Sequence, residues 1–68
     1  MVKNKLASPR ELIDSTGLSQ SETARVIGVH VRAVQRWIAG DRELPPPARK
    51  LLTVLRDHPE MIEGIRRA

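Results

Sequence analysis

The sequence contains no cysteine, no phenylalanine and no tyrosine, and its one aromatic residue is Trp37. Without cysteine, no disulfide and no thiolate metal site can brace a chain of 68 residues. A chain this short buries only a modest share of its surface, so stability must come from closely packed elements or from a partner subunit. Few aromatics, and no sustained alternation of apolar and polar residues, argue against strands. No apolar run approaches the roughly 18 residues that a membrane span needs, so no membrane partner is expected. The opening Met1-Val2-Lys3-Asn4-Lys5 has charges with no apolar stretch behind them, and does not read as a signal peptide. Paired carboxylates, a nucleophile beside a base and a glycine-rich phosphate loop are also missing, so no catalytic residue is expected. His30 and His58 lack further ligands at metal-binding spacing, so neither a metal nor a cofactor is expected. No ligand pocket is apparent, and no small-molecule ligand is expected.

What is present is a localised excess of positive charge. Residues 1–24 and residues 51–68 each balance three cations against three carboxylates. Residues 25–50 carry Arg25, Arg32, Arg36, Arg42, Arg49 and Lys50 against Asp41 and Glu43. The whole net charge of +4 therefore sits in the middle of the chain. A polyanion would be drawn to that region, although a solvated basic surface would look the same in composition.

Helix punctuation is frequent. Ser8-Pro9-Arg10-Glu11 is a capping box with proline at the first helical position, where a missing N–H costs nothing. Leu12 and Ile13 supply that helix's buried stripe, and Gly17 ends it. Ser19-Gln20-Ser21-Glu22 is a second capping box, opening a helix with Ala24, Val26 and Ile27 inward and Gly28 closing it. After a short turn, His30 caps a third helix from about Val31 to Ala39, with Val34, Trp37 and Ile38 on one stripe and Gly40 at its end. Residues 40–47 read as a loop. A fourth helix begins at Pro46 or Pro47, runs to about Asp57 and buries Ala48, Leu51, Leu52 and Leu55. Pro59 opens a short fifth helix with Met61, Ile62 and Ile65 on one side. The expected fold is all-α, one five-helix domain over residues 1–68.

Two short helices joined by a glycine-containing turn form a helix-turn-helix, with its core at about 19–40. Their close crossing needs a small residue, which Ala24 provides. The second helix must hold one face on the core and free the other: Val34 and Trp37 hold it, while Arg32, Gln35, Arg36 and Ala39 lie outside. The spacing of Gln20, Ala24, Gly28, Val34, Trp37 and Gly40 resembles the DNA-binding core of the Cro/C1-type (XRE) repressor family. This family usually has Ser or Thr where His30 stands. The tail Pro45-Pro46-Pro47-Ala48-Arg49-Lys50-Leu51-Leu52, followed by Arg56-Asp57-His58-Pro59-Glu60, resembles helix-turn-helix domains of antitoxin repressors and anti-CRISPR-associated phage regulators. The resemblance implies a compact λ-repressor-like fold that binds the major groove of double-stranded DNA. It also implies a bacterial or phage protein working in the cytoplasm, at the nucleoid.

Site residues follow from chemistry and register. Arg32 and Arg36, one turn apart, suit guanine O6 and N7; Gln35 suits adenine; Val31 suits a thymine methyl, or else packs beside Val29. Ser19 and Gln20 lie at a helix N-terminus, where backbone N–H groups favour a phosphate. His30 either caps its helix or reaches a phosphate. Arg42, Arg49 and Lys50 are further backbone candidates. Trp37 shares the stripe of Val34 and is expected in the core rather than stacked on a base. Leu55, Met61, Ile62 and Ile65 offer more apolar surface than a small core needs, so the helices at about 46–67 are expected to carry a homodimer contact. Such a homodimer would repress transcription from an inverted-repeat operator. The alternative is a protein-interaction module, antitoxin-like or an adaptor, without DNA specificity of its own.

Overall fold

The computed structural model describes residues 7–68, so the opening segment read as lacking a signal peptide lies outside the described residues. Five α-helices follow in order: α1 Pro9–Thr16, α2 Gln20–Ile27, α3 Val31–Ala39, α4 Pro46–Asp57 and α5 Met61–Arg67. There is no strand among the described residues.

Local chemistry sets the first three helix starts. The Ser8 hydroxyl accepts from the Glu11 amide at 3.2 Å, and the Glu11 carboxylate accepts from the Ser8 amide at 3.0 Å. Ser19 and Glu22 repeat the reciprocal pair at 3.1 and 3.4 Å. Each pair satisfies two amides that a helix start leaves without partners. The turn after α2 needs Gly28 at φ +89°, a conformation that costs an L-residue about 1–2 kcal/mol. A methyl placed there would meet nothing within 4 Å, so strain alone sets the penalty. Gly28→Ala should therefore lower stability by about 1–2 kcal/mol, read as a fall in Tm.

Tertiary contacts form two clusters. Leu12, Ile13, Ala24, Val34, Trp37, Leu44, Ala48 and Leu52 make the first, where α1 packs on α4 and α2 on α3. Leu18, Val26 and Leu55 make the second, covered by Leu51, Ile62 and Ile65. Leu18 and Leu44 lie in connections and are buried, which helix periodicity does not foretell. The start of α4 is Pro46, with Pro45 at its cap. The fifth helix begins two residues later than expected, and Met61 at its start is 46% exposed while Ile62 and Ile65 are half-buried. That helix is clasped to α2 by Arg66, whose guanidinium lies 2.7 Å from the Glu22 carboxylate. The pair is well exposed, so it contributes less than about 1 kcal/mol.

Two threonines are buried. Thr16 is satisfied: its hydroxyl donates to the Ile13 carbonyl at 2.6 Å and accepts from the Leu18 amide at 3.2 Å. The hydroxyl of Thr23 is fully enclosed and has no partner among the described residues. An unmade buried hydrogen bond costs about 1–3 kcal/mol. Thr23→Val keeps the shape and removes the orphaned hydroxyl, so it should raise stability by about 1 kcal/mol, measured by thermal melting.

Candidate nucleic-acid interface

The turn between α2 and α3 is short and closed by two backbone hydrogen bonds. The amides of Gly28 and Val29 both donate to the Ala24 carbonyl, at 2.8 and 2.9 Å. Ala24 is buried in the cluster that joins α2 to α3. Next, His30 Nδ1 accepts from the Arg32 amide at 3.1 Å and caps α3. A ring nitrogen that accepts carries no proton, so the neutral imidazole keeps its proton on Nε2. Of the two expected roles the structure shows the cap: Nδ1 serves the helix, and Nε2–H is left as a donor on an exposed residue.

The turn fixes the roll of α3. Val34 is completely buried and Trp37 is 6% exposed, so the register places tryptophan in the core as expected. Arg32, Gln35 and Arg36 are exposed on the outer side. Val31 is half-buried and packs against the first cluster, which favours the packing alternative and leaves only part of its surface for a base. At the end of α3, the amides of Asp41 and Arg42 fold back onto the Arg36 carbonyl at 3.0 and 3.3 Å. This anchors Arg42 beside the helix. His30, Arg32, Ala33, Arg36, Trp37 and Arg42 then line one shallow, open groove of about 270 Å³.

Ser19 and Gln20 are exposed at the start of α2, with the Ser19 hydroxyl committed to its capping box. Lys50 is exposed on α4. Arg49 is different. It is half-buried, and its guanidinium donates to the Ala7 carbonyl at 2.9 Å, tying the approach to α1 onto α4. That bond takes part of the donor set a phosphate would use.

Ion pairing separates the two basic regions. Among the described residues, the ion pairs are Arg56–Asp57, His58–Glu60, Arg66–Glu22, Arg66–Glu63 and Arg67–Glu63. All involve the end of α4, α5 or the turn between them. Arg32, Arg36 and Arg42 appear in none of these pairs.

The residues expected at a subunit contact divide. Leu55 is fully enclosed within one protomer and has no surface to offer, which removes it from any dimer contact. The physical reason is that α5 folds back on α2, so Ile62 and Ile65 cover Leu55. Ile62 and Ile65 keep partial exposure, and Met61 stands in solvent.

A family model described as the antitoxin component of a bacterial toxin-antitoxin system, MqsA, matches residues 2–66. No curated protein and no solved structure matches the chain.

Proposed function

The chain belongs to the MqsA family of antitoxin components of bacterial toxin-antitoxin systems, and on that premise we propose that it is a regulatory protein that binds double-stranded DNA through α3. The observation that carries this reading is the roll of α3: Val34 and Trp37 lie inward, Arg32, Gln35 and Arg36 lie outward, and the two arginines have no ion-pair partner among the described residues. A helix presented this way after a short turn fits the major groove, where arginine pairs with guanine and glutamine with adenine. The Cro/C1-type spacing of Gln20, Ala24, Gly28, Val34, Trp37 and Gly40 supports the same reading. His30, Arg42, Lys50 and the start of α2 at Ser19 and Gln20 would hold the backbone, with Arg49 contributing what its bond to Ala7 leaves free. Two copies on half-sites about 34 Å apart would form the repressor, and Met61, Ile62 and Ile65 are the residues left to join them.

The test is binding of the chain to duplex DNA from upstream of its own gene, against random duplex, titrated with salt. The expected result is tighter binding to the upstream duplex and an affinity that falls with salt. Arg42→Ala should weaken both duplexes alike and reduce the log–log salt slope by about 0.9, the share of one phosphate contact. Equal affinity for both duplexes in the unaltered protein would defeat the reading.

A second reading draws on a separate observation. An antitoxin component implies a toxin partner, and α5 places exposed Met61 beside half-buried Ile62 and Ile65. On this reading the chain is a protein-interaction module, and co-purification with the toxin without DNA retardation would favour it.

A further inference from the structure

The groove beside α3 has features that sequence-specific duplex binding does not require. Arg32 and Arg36 are successive members of one i,i+4 row, and Ala33 and Trp37 are successive members of the next. Both rows contribute to the lining of the groove. Arg42 lines the groove from the loop, its backbone placed there by the amides of Asp41 and Arg42 bonded to the Arg36 carbonyl. His30, with a proton on Nε2, closes the other end. Three arginines thus line one space of about 270 Å³, and none has a carboxylate partner among the described residues. Guanidiniums are forked donors matched to phosphate oxygens, and cations gathered without a counter-charge repel one another until an anion joins them.

We infer that this groove is a binding site for a compact polyphosphate, the diphosphate group of a free nucleotide or of inorganic pyrophosphate, with Arg32, Arg36 and Arg42 as its clamp. Ala33 and Trp37 line it as well and add no competing charge. The site stands without any duplex bound. Its consequence, that a polyphosphate displaces DNA from α3, rests on the DNA-binding reading above.

Trp37 is the sole tryptophan of the chain and lines the groove, so its fluorescence reports occupancy directly. The experiment titrates the full chain, without DNA, with inorganic pyrophosphate, and with sodium chloride at matched ionic strength. Phosphorus-31 line broadening of pyrophosphate gives a second readout that does not depend on tryptophan. Saturable binding is expected for pyrophosphate and not for chloride. Arg42→Ala should weaken it about tenfold or more, as expected for the loss of a charge-assisted fork. Arg10→Ala, which removes the same charge from an exposed position on α1, should leave it unchanged. A nucleoside diphosphate that binds more tightly than pyrophosphate would identify the free nucleotide as the source; equal affinity would identify the inorganic anion. Absence of saturation in both readouts, or equal losses in the Arg42 and Arg10 variants, overturns the inference. A chain that takes pyrophosphate but no duplex keeps this site and sinks the DNA reading; the reverse result does the opposite.

Discussion

Leu52→Ala should leave much of the chain unfolded at 37 °C. Leu52 has no exposed surface and lies in the cluster that binds α4 to α1 and α3. Removing a buried leucine side chain costs about 2–5 kcal/mol, because the contacts are lost and the cavity closes only in part. A chain of this length has about 3–10 kcal/mol of total stability at the usual 0.05–0.15 kcal/mol per residue. With no disulfide to hold the unfolded state together, a single truncation removes a large fraction of the total. A melt followed by circular dichroism should show Tm falling by roughly 10 °C or more, at 4–8 °C for each kcal/mol. Met61→Ala, at an exposed position, should stay within about 0.5 kcal/mol of the parent. Similar melting of the two variants would mean that the core is wrongly placed.

The second large effect concerns recognition. Arg32→Ala and Arg36→Ala should each cost about 1–3 kcal/mol on the preferred duplex. Together they should lower that affinity at least roughly 30-fold, while random duplex loses only the salt-dependent share. The asymmetry is what distinguishes base reading from backbone attraction. Both side chains are exposed and have no ion-pair partner among the described residues, so truncation leaves no buried charge behind and the fold should be unchanged. Equal losses on both duplexes would make these arginines phosphate contacts.

The helices were legible where their signals were local. Ser8 with Glu11, Ser19 with Glu22, and the glycines at 17, 28 and 40 act within one turn of chain, and the structure places each as a cap. The stripe of Val34 and Trp37 was legible for the same reason, since a period of 3.6 residues fixes which side chains share a face. Features set by distant partners were not. Arg49 looks like any surface arginine until Ala7, 42 positions earlier, is brought against it. Arg66 and Glu22 are 44 positions apart. Leu55 reads both as part of the buried face of α4 and as spare apolar surface; the structure keeps the first, because α5 turns back over it, a turn that neither Pro59 nor the periodicity of that short helix encodes. Leu18 and Leu44 escaped notice because connections carry no periodicity. The groove was invisible too: it needs Arg42 folded back onto α3, which the loop residues alone do not announce.

Nitrogen-15 shift mapping of the labelled chain with the preferred duplex measures most directly whether the outer side of α3 meets DNA. Amide shifts centred on His30 to Arg36, with smaller ones at Ser19, Gln20 and Arg42, are the expected result. Shifts confined to α4 and α5, with α3 unmoved, would contradict it.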